Sequence, residues 1–552
     1  VIVAKKRILI VGGVAGGASC AARSRRMSET AEIVIFDRGS YVSFANCGLP
    51  YYVGNVIKDE KKLLVANADL FKQRFNIEVR LRNEVLAIDR SARTIKVKAL
   101  DSGEVYEESY DALVLSPGAA PVRPPLPGIE LPGIFALRTI PDSRQIRQWI
   151  DTHSVKRAVV VGGGFIGLEM SENLAHRGID VTLIEMQPQV MPPFDPEMVV
   201  SLQEDLRSHG VNLVLSEGVS AFEPQADGLV VKTRSGAEYS ADLVVLGIGV
   251  RPEVSLARQA GLTIGQLGGI RTDRSMATND PHIWAVGDAV EVQDYITKEW
   301  TLIPLAGPAN RQGRVAADAI AGRKSTFRGV QGTSVCGVFG LTVACTGASE
   351  KTLKRLNIPY QKIYLHPGHH VGYFPGAKPI EIKLLFDPDD GRVLGVQAVG
   401  EAGVVRRVDV IASVIQQGGT VFDLESAELC YAPQFGAAKD PANFAGMIAV
   451  NVLQGDAPVA QWDQPYWRQG QLIDVRTPSE FQQGHVDGAI NIPLDHLRER
   501  MDELSAEAPI YVYCQVGQRA YYATRALRLS GFDAYNLTGG FKTHQTVQKS
   551  QG

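Results

Sequence analysis

The chain contains two stretches with the same pattern of apolar and polar positions. In the first, an apolar run at residues 7–11 is followed by a glycine-rich loop, a mixed segment to about residue 28, and a second apolar run at 32–36 that ends at Asp37. A short apolar run bounded by glycines is typical of a buried parallel strand, and the longer mixed segment predicts a helix. The pattern therefore predicts a β-α-β unit.

The loop of this first unit has the spacing of a dinucleotide-binding motif. In such a unit the amides at the helix N-terminus hold a pyrophosphate, and the acid after the second strand binds a ribose hydroxyl. Val14 stands where the second glycine is usual, so the loop alone is also compatible with a plain strand-to-helix turn. The candidate contact residues are Gly12, Gly13, Val14, Ala15, Gly16, Gly17, Asp37 and Arg38.

The second stretch carries the complete motif. A strand at 158–161 leads into the sequence G-G-G-F-I-G at 162–167, a helix is predicted at 168–177, and a strand at 181–184 precedes Glu185. A carboxylate at that position accepts a hydrogen bond from the ribose 2′-hydroxyl and repels a 2′-phosphate, which favours NADH over NADPH. The candidate contact residues are Gly162, Gly164, Phe165, Ile166, Gly167, Glu185 and Gly249.

Each unit is followed by another apolar strand that ends in small residues. One strand ends at Ser116, Pro117 and Gly118, and the other ends before Gly249. A third such strand, at 283–286, leads to Gly287 and Asp288, where the pattern predicts the start of a helix. Asp288 is either a ligand of a ribityl hydroxyl or a simple helix N-cap.

The remaining sequence predicts two further domains and a connection between them. Residues 332–453 are rich in strand patterns and predict an α+β domain. Residues 454–467 contain prolines and a glycine and predict a linker. Residues 468–552 predict a compact α/β domain, so the dinucleotide-binding domains are expected at 1–150 with 266–331 and at 151–265.

Composition narrows the class of partner. A net charge of −3 with mixed signs argues against a nucleic-acid partner, and the sequence has no apolar run of roughly 18 residues that would span a membrane. The N-terminus runs into the first strand without a signal peptide. The six cysteines form no C-x-x-C pair and have no metal-ligand spacing, which favours free thiols, a cytoplasmic location and no metal.

Two cysteines stand alone in informative places. Cys47 follows the first nucleotide unit with no second cysteine nearby, so its oxidised partner must be a sulfenic acid, a persulfide or a thiol from outside the chain. We expect a nearby helix N-terminus to stabilise its thiolate. Cys514 follows a predicted strand at 510–513 and opens the loop 514–519, whose amides suit a thiolate or a persulfide; the alternative is a buried structural cysteine.

The last domain resembles a single rhodanese domain. The resemblance rests on D-V-R at 474–476, G-H-V-D-G-A-I-N-I-P at 484–493 and C-Q-V-G-Q-R at 514–519. It implies that Cys514 carries sulfane sulfur and that Arg519 belongs to its binding loop.

The whole chain resembles the coenzyme A-disulfide reductase–rhodanese fusions, which include NADH-dependent persulfide reductases. The motifs are S-F-A-N-C at 43–47, P-L-A-G-P-A-N-R-Q-G at 304–313, Y-F-P-G at 373–376, and Y-A-P at 431–433 with A-K-D at 438–440. The resemblance implies an α/β fold with FAD-binding and NAD-binding Rossmann-like domains, an α+β dimerisation domain and a C-terminal rhodanese domain.

The resemblance also assigns cofactors and residues. FAD is expected on the first unit, together with Ser116, Pro117, Gly118, Gly287, Asp288 and Ala306; NADH, or NADPH, is expected on the second. In a homodimer, Tyr373 and Tyr431 would reach Cys47 of the partner subunit. The family often has tyrosines where this chain has Phe374 and Phe435.

Coenzyme A is expected to form a mixed disulfide with Cys47. Its phosphates need cations, and arginine forks suit phosphate. The candidate residues for coenzyme A are Arg23, Arg26, Ser43, Asn46 and Arg74. The alternative for the arginines is a solvated helix face.

The implied activity is NAD(P)H-dependent reduction of coenzyme A disulfide, coenzyme A or glutathione persulfides, or polysulfides, together with sulfur transfer at Cys514. One alternative is an NADH oxidase or peroxidase with a Cys47 sulfenic acid. Those relatives usually carry a histidine in the first glycine loop, where this chain has Ala15. A non-catalytic sulfur or redox sensor is a second alternative, and Glu185 argues against it because a sensor needs no hydride donor.

Overall fold

The computed structural model describes residues 6–551, which fall into two compact units. The first unit contains the described residues up to 188 and residues 210–330, and the second contains 189–209 and the described residues from 331 onward. Residues 1–5 and residue 552 lie outside the described part. They are the ends of the predicted first and last domains. The prediction that the N-terminus leads into the first strand without a signal peptide falls on these first residues. Within residues 6–551, no helix is both long and apolar enough to cross a membrane.

The strands of the first unit are β1 (Arg7–Val11), β2 (Glu32–Asp37), β3 (Glu78–Leu81), β4 (Asn83–Asp89), β5 (Thr94–Ala99), β6 (Val105–Ser109), β7 (Ala112–Leu115), β8 (Ala119–Pro121), β9 (Ile134–Ala136), β10 (Arg157–Val161), β11 (Asp180–Ile184), β12 (Asn212–Val214), β13 (Val219–Gln225), β14 (Gly228–Thr233), β15 (Glu238–Ala241), β16 (Leu243–Leu246), β17 (Val250–Pro252), β18 (Ile270–Arg271), β19 (Ile283–Ala285), β20 (Val290–Gln293) and β21 (Trp300–Thr301). Those of the second unit are β22 (Ser334–Val338), β23 (Leu341–Gly347), β24 (Gln361–Leu365), β25 (Ile380–Phe386), β26 (Val393–Gly400), β27 (Val459–Ala460), β28 (Gln471–Asp474), β29 (Ile490–Asn491), β30 (Ile510–Tyr513) and β31 (Ala534–Leu537).

The helices, in chain order, are α1 (Ala15–Met27), α2 (Leu49–Val53), α3 (Ala68–Phe75), α4 (Ile140–Thr152), α5 (Phe165–Ala175), α6 (Val200–Ser208), α7 (Ser255–Gln259), α8 (Ala306–Ile320), α9 (Glu350–Leu356), α10 (Val404–Gln416), α11 (Val421–Ser426), α12 (Pro441–Leu453), α13 (Pro478–Gln482), α14 (Gln518–Leu529) and α15 (Gly540–Gln551).

Two parallel five-stranded sheets organise the first unit. Their orders are β19-β7-β1-β2-β3 and β12-β11-β10-β16-β9. The central strands β1 and β10 are almost entirely apolar, which suits strands covered on both faces by helices. In each sheet the glycine loop leaves the carboxyl end of the central strand. The structure thus contains both predicted Rossmann-like units.

An antiparallel sheet and a parallel sheet organise the second unit. The antiparallel order is β22-β23-β26-β25-β24, and the parallel order is β27-β31-β30-β28-β29. Apolar side chains cover both faces of the parallel sheet: one cluster includes Ile473 and Val512, and the other includes Trp462 and Tyr513. The sequence predictions of an α+β domain and a terminal α/β domain agree with these two sheets.

Three local expectations are wrong. Strand β9 (Ile134–Ala136) pairs with β16 in the second sheet, so the domain boundary predicted at residue 150 comes too late. Asp288 does not open a helix, because strand β20 follows it. The predicted linker is not open chain throughout, since β27 (Val459–Ala460) pairs with β31 and Trp462 is buried in the C-terminal core. Two of these errors have the same cause, because the very short strands β9 and β27 lack a detectable period and are fixed by a distant partner.

The C-terminal domain is joined to the antiparallel sheet by direct bonds. The Tyr364 amide donates to the hydroxyl of Thr538 at 2.8 Å, and the Gln461 side chain donates to the Lys362 carbonyl at 2.9 Å. The Lys362 ammonium also pairs with Asp463 at 2.7 Å. These contacts run along β24, the edge strand of the antiparallel sheet, and so cover that edge.

A buried ion cluster lies behind the same edge. The Lys383 ammonium is fully buried and contacts Asp195 at 2.9 Å, Glu197 at 2.5 Å and Glu350 at 2.6 Å. The three carboxylates are close enough together to hold a metal ion, but the ammonium already lies among them. The positive charges of Lys383 and of Lys362, which also pairs with Glu350, lower the pKa of Glu350 despite its burial.

Candidate functional site

The two glycine loops are built alike. Gly12 and Gly162 have φ angles of +92° and +106°, a backbone conformation that other residues rarely adopt. A Cβ atom on Gly17 would lie 1.9 Å from the carbonyl oxygen of Gly12, and one on Gly167 would lie 1.8 Å from that of Gly162. Only glycine permits these approaches, so both loops need the residues that the sequence has there.

The acid after each unit is also bound in the same way. Asp37 accepts hydrogen bonds from the amides of Gly13 at 2.9 Å and Gly39 at 2.8 Å. Glu185 accepts from the amides of Gly163 at 2.6 Å and Gln187 at 2.8 Å. Each carboxylate is therefore fixed beside its glycine loop. Burial raises the pKa of Asp37, and the two amides oppose that shift.

Both loops lead into helices whose first turn is open to a ligand. The residues that precede α1 and α5, Val14 and Gly164, make no side-chain cap, so the first amides of each helix keep unused donors. A Cβ atom on Gly164 would meet no heavy atom within 4 Å. Uncapped helix N-termini beside a fixed carboxylate fit the pyrophosphate and ribose of a dinucleotide, so the residues present suit FAD in the first domain and NADH in the second.

Several other predicted FAD residues converge on the first loop. A Cβ atom on Gly16 would lie 3.1 Å from the Ser116 hydroxyl and 2.9 Å from Val286. The Gly287 amide donates to the Gln312 side chain on α8 at 2.7 Å. Ala306 begins α8, and Pro117 and Gly118 connect β7 to β8. Arg38 lies beyond Asp37 with a largely exposed side chain.

Cys47 lies in a short 3-10 helix, Asn46–Gly48, that leads into α2, and its side chain is exposed. A chain of hydrogen bonds ties this segment to the end of β19. The Asn46 side-chain amide donates to the Arg138 carbonyl at 2.9 Å, and the Arg138 guanidinium donates to Asp288 at 2.7 Å. Residues 46, 138 and 288 are thus brought together. Asp288 is therefore paired with Arg138, a partner that the sequence did not predict.

The surroundings of Cys47 oppose its ionisation. Partial burial raises the pKa of the thiol, and the Glu169 carboxylate raises it further, while Arg138 acts in the opposite direction. Burial also raises the pKa of Glu169 to about 7, and a hydrogen bond from the Tyr51 hydroxyl at 3.4 Å opposes that shift. The expected stabilisation of the thiolate by a helix N-terminus does not outweigh these effects, because the nearby helix α2 has only five residues.

The residues predicted to bind coenzyme A differ in their contacts and exposure. Ser43 donates its amide to the Gly13 carbonyl at 2.8 Å, which binds the Cys47 segment to the first glycine loop. Arg23 is paired with Asp318 of α8 at 2.7 Å. Arg26 and Arg74 are exposed. Of the three arginines, Arg23 has its charge balanced within the fold.

Tyr373 and Tyr431 lie together in the second unit. Their hydroxyl oxygens are 2.8 Å apart, and the residues are 74% and 46% exposed. Phe374 and Phe435 are exposed as well, at 39% and 64%. The structure therefore brings the two tyrosines together, although the sequence separates them by 58 positions. The hydrogen bond between the two hydroxyls raises the pKa of Tyr431.

Cys514 lies at the end of β30 at the bottom of its loop. The residue is 1% exposed, and its sulfur accepts a hydrogen bond from the Gly517 amide at 3.2 Å. Arg519, in the first turn of α14, makes a two-bond ion pair with Glu480, at 2.6 and 2.8 Å. One backbone amide therefore donates to the Cys514 sulfur, and the Arg519 side chain interacts with Cys514 as well as with Glu480.

Three residues near the two cysteine sites were not predicted from the sequence. Arg138 and Glu169 flank Cys47, and Glu480 pairs with Arg519. Arg138 and Glu169 are about 90 or more positions from Cys47, and a sequence pattern carries no signal for such a contact. Glu480 has a partial signal, since it closes a capping box with Thr477 at the start of α13.

Two Rossmann-like domains, a single cysteine beside the first, and a C-terminal domain with a cradled cysteine define a pyridine-nucleotide oxidoreductase fused to a sulfur-handling domain. Family models match the chain in three places. They are pyridine nucleotide-disulphide oxidoreductase at residues 6–313, its dimerisation domain at 333–442, and a rhodanese-like domain at 460–545. The chain belongs to the pyridine nucleotide-disulphide oxidoreductase family.

Individual relatives cover most or all of the chain. A coenzyme A disulfide reductase of Staphylococcus haemolyticus is 34% identical over 80% of this chain and 99% of its own, and an NADH oxidase of Methanocaldococcus jannaschii is 36% identical over 81% and 99%. The structure of reduced Bacillus anthracis CoADR-RHD has a TM-score of 0.97 at 49% identity, covering 99% of both chains. That of an NAD-dependent persulfide reductase from A. fulgidus has a TM-score of 0.90 at 35% identity, covering 97% and 99%.

Proposed function

We propose that this chain reduces coenzyme A disulfide and the persulfides of coenzyme A or glutathione with electrons from NADH, and that Cys514 accepts sulfane sulfur. One observation carries the proposal. Cys47 is an exposed thiol that hydrogen bonds tie both to the first glycine loop, through Ser43, and to Asp288, through Asn46 and Arg138. The names of the two reductases similar to this chain support the choice of substrate.

The first Rossmann-like domain would hold FAD and the second NADH. Asp37 and Glu185 would each bind a ribose, and the open N-termini of α1 and α5 would bind the pyrophosphates. When bound, FAD supplies a two-electron relay between NADH and a disulfide at Cys47.

Cys47 performs the sulfur chemistry in this scheme. Its thiolate attacks a disulfide sulfur, displaces a thiolate and forms a mixed disulfide with coenzyme A. The overall reduction is RSSH + NADH + H⁺ → RSH + H₂S + NAD⁺. Because burial and Glu169 raise the pKa of the thiol, formation of the thiolate at neutral pH requires a proton acceptor.

Tyr373 and Tyr431 would act from the other subunit of a homodimer. The match to a dimerisation domain supports the dimer, and the exposed aromatic residues of the second unit supply an apolar face for a partner. The paired hydroxyls would donate a hydrogen bond to the sulfur that leaves Cys47 of the partner subunit. Tyr373 and Tyr431 fit this role better than residues 374 and 435, which are phenylalanines.

Coenzyme A would lie against the first unit. Arg26 and Arg74 have exposed side chains for its phosphates, whereas Arg23 is held by Asp318 and would position α1 against α8. Free thiols at Cys47 and Cys514 require a reducing compartment, so the proposed location is the cytoplasm.

The experiment is the identification of the small thiol on Cys47. The purified protein is oxidised with coenzyme A disulfide and digested, and the mass of the Cys47 peptide is measured by mass spectrometry. We expect the mass of coenzyme A on Cys47 in the wild type and in Cys336→Ala, and none on residue 47 of Cys47→Ser. A Cys47 that acquires only oxygen, with no thiol, would favour the NADH oxidase to which this chain is also similar.

A further inference from the structure

The cation of the Cys514 loop is already neutralised. Two guanidinium nitrogens of Arg519 each donate to a different carboxylate oxygen of Glu480, at 2.6 and 2.8 Å, and the pair is about one third exposed. Arg519 holds the pKa of Glu480 at about 2, so the carboxylate is charged at neutral pH. Thr477 also donates to this carboxylate through its amide and hydroxyl, each at 3.0 Å, which fixes its position.

Two further cations that border the loop are balanced as well. Arg476 donates to the Gln515 side chain and is paired with Asp474 at 2.7 Å, with both residues buried. Lys542 donates its amide to the Gln515 carbonyl, and its ammonium pairs with Glu381 at 2.9 Å. Among the described residues that these contacts place around the loop, each cation therefore has a carboxylate partner.

We propose that Glu480 sets the class of sulfur donor at this site, so that Cys514 takes sulfur from organic persulfides in preference to thiosulfate. The inference rests on the proposed role of Cys514 as a sulfur acceptor. Thiosulfate is a dianion whose leaving group, sulfite, keeps two charges, and stabilising it requires an unpaired cation near the sulfur. The –SSH group of an organic persulfide carries at most one charge, and its leaving group is a thiolate with a single charge on sulfur.

The loop suits the persulfide reaction. The Cys514 thiolate attacks the outer sulfur of RSSH, the S–S bond of the donor breaks, and the products are a Cys514 persulfide and RS⁻. The thiolate charge moves from Cys514 to the leaving group, and no outside oxidant or reductant is consumed. The backbone amide of Gly517, 3.2 Å from the sulfur, is a donor sufficient for one sulfur anion.

The test measures how fast Cys514 gains one sulfur atom in the full chain. The chain carries Cys47→Ser so that reduction at residue 47 does not contribute. Thiosulfate and glutathione persulfide are the two sulfur donors. The reaction is quenched by alkylation, and the mass of the Cys514 peptide is measured by mass spectrometry. The wild-type loop should react at least about tenfold faster with the persulfide, and that ratio is the quantity to compare.

Glu480→Gln frees Arg519 while keeping the size of the side chain. It should raise the rate with thiosulfate about tenfold and change the rate with the persulfide less than threefold, and the gain should shrink at high salt. Glu503→Gln is the matched control, because it breaks another arginine pair of the same domain, with Arg500 at 2.5 Å, away from the loop. It should change neither rate.

Gln518→Arg tests the same idea without breaking a pair. Gln518 is exposed at the mouth of the loop, and an arginine there adds a cation without a carboxylate partner. It too should raise the thiosulfate rate selectively, so the test stands even if Glu480→Gln does not fold. Equal rates with both donors in the wild type, or an equal change for both donors in the folded variants, would overturn the inference about Glu480. Either result would leave the proposed role of Cys514 as a sulfur acceptor intact. A Cys514 that accepts sulfur from neither donor would overturn its role as a sulfur acceptor as well.

Discussion

At the scale of single residues, the reactivity of Cys47 depends on a carboxylate that the sequence does not connect to it. Glu169 raises the pKa of the thiol, and burial raises the pKa of Glu169 itself to about 7. Each negative charge disfavours the other, so the thiol and the carboxyl compete for ionisation. The pH dependence of the reaction should therefore report the pair and not Cys47 by itself.

Removing the Glu169 charge should make Cys47 ionise more easily. In Glu169→Gln the thiolate no longer faces a carboxylate, so the pH midpoint of Cys47 alkylation should fall. The measurement is the rate of iodoacetamide labelling of the Cys47 peptide between pH 6 and 10 in the reduced protein. Glu238→Gln, an exposed acid of the same domain, is the control and should leave the midpoint unchanged. An upward shift in Glu169→Gln would show that the carboxylate favours the thiolate.

Glu185 should decide the choice of nicotinamide cofactor. Its carboxylate is buried and held by two amides beside the second glycine loop, where a 2′-phosphate would face it at short range. Repulsion of about 2 kcal/mol corresponds to roughly thirtyfold in affinity, so kcat/KM should be about thirtyfold higher for NADH than for NADPH. Glu185→Gln should reduce this ratio several-fold, and Glu238→Gln, an exposed acid of the same domain, should not. A wild-type ratio near one would contradict the assignment.

At the scale of elements, the buried ammonium of Lys383 on β25 holds together three carboxylates from two other segments, Asp195 with Glu197 in one and Glu350 in the other. Asp195 precedes α6, Glu350 begins α9, and Lys383 lies on β25. Removing one partner of a buried ion cluster leaves uncompensated charge. Lys383→Met should therefore reduce the free energy of unfolding of the second unit by about 3–5 kcal/mol. Lys378→Met, which breaks an exposed pair with Glu401, should reduce it by less than about 1 kcal/mol.

The same cluster gives a pH dependence of known sign. The pKa values of Asp195 and Glu350 are lowered in the folded chain, because Lys383 stabilises their charged forms. Their stabilisation is present above the unfolded carboxyl pKa, near 4, and is lost as the pH falls further toward the folded values. Denaturant unfolding between pH 7 and pH 3, followed in the wild type and Lys383→Met, measures this. The variant should show the weaker loss of stability below pH 4; an equal loss would contradict the role of the cluster.

Elements with a strong local pattern are predictable from the sequence, and those without one are not. The strands β1 and β10, the helices that follow them and the acids Asp37 and Glu185 follow from apolar runs and glycine spacing. The short strands β9 and β27 do not, because two or three residues show no period and depend on a partner far along the chain. The same limit applies to the candidate sites. Cys47 and Cys514 can be recognised from the sequence, but Arg138, Glu169 and Glu480 are brought near them only by folding, so the sequence does not predict these neighbours.

At the scale of the whole molecule, the chain carries two cysteine sites with separate surroundings. Cys47 lies in the first unit with both glycine loops, and Cys514 lies in the second with its own cradle. The C-terminal domain is bonded to the antiparallel sheet of the second unit and not tethered by an open linker. The two cysteines should therefore be separable by mutation.

Cys514→Ser should remove sulfur transfer and leave the nicotinamide reaction intact. NADH should reduce the bound flavin at the wild-type rate in a stopped-flow experiment, because both glycine loops lie in the first unit and Cys514 lies in the second. Reduction of freely diffusing persulfide should also persist in large part, since Cys47 meets it directly. Slower flavin reduction in Cys514→Ser would reveal a coupling between the two sites.

The most direct test of the central claim is the amount of sulfide released per NADH consumed with coenzyme A persulfide as substrate. In the wild type the two amounts should be equal, with no dependence on oxygen, and Cys47→Ser should release less than a few per cent of that sulfide while it still binds flavin. Sulfide release that persists in Cys47→Ser, or NADH consumption that requires oxygen and yields no sulfide, would contradict the assignment of Cys47 as the residue that passes electrons to sulfur.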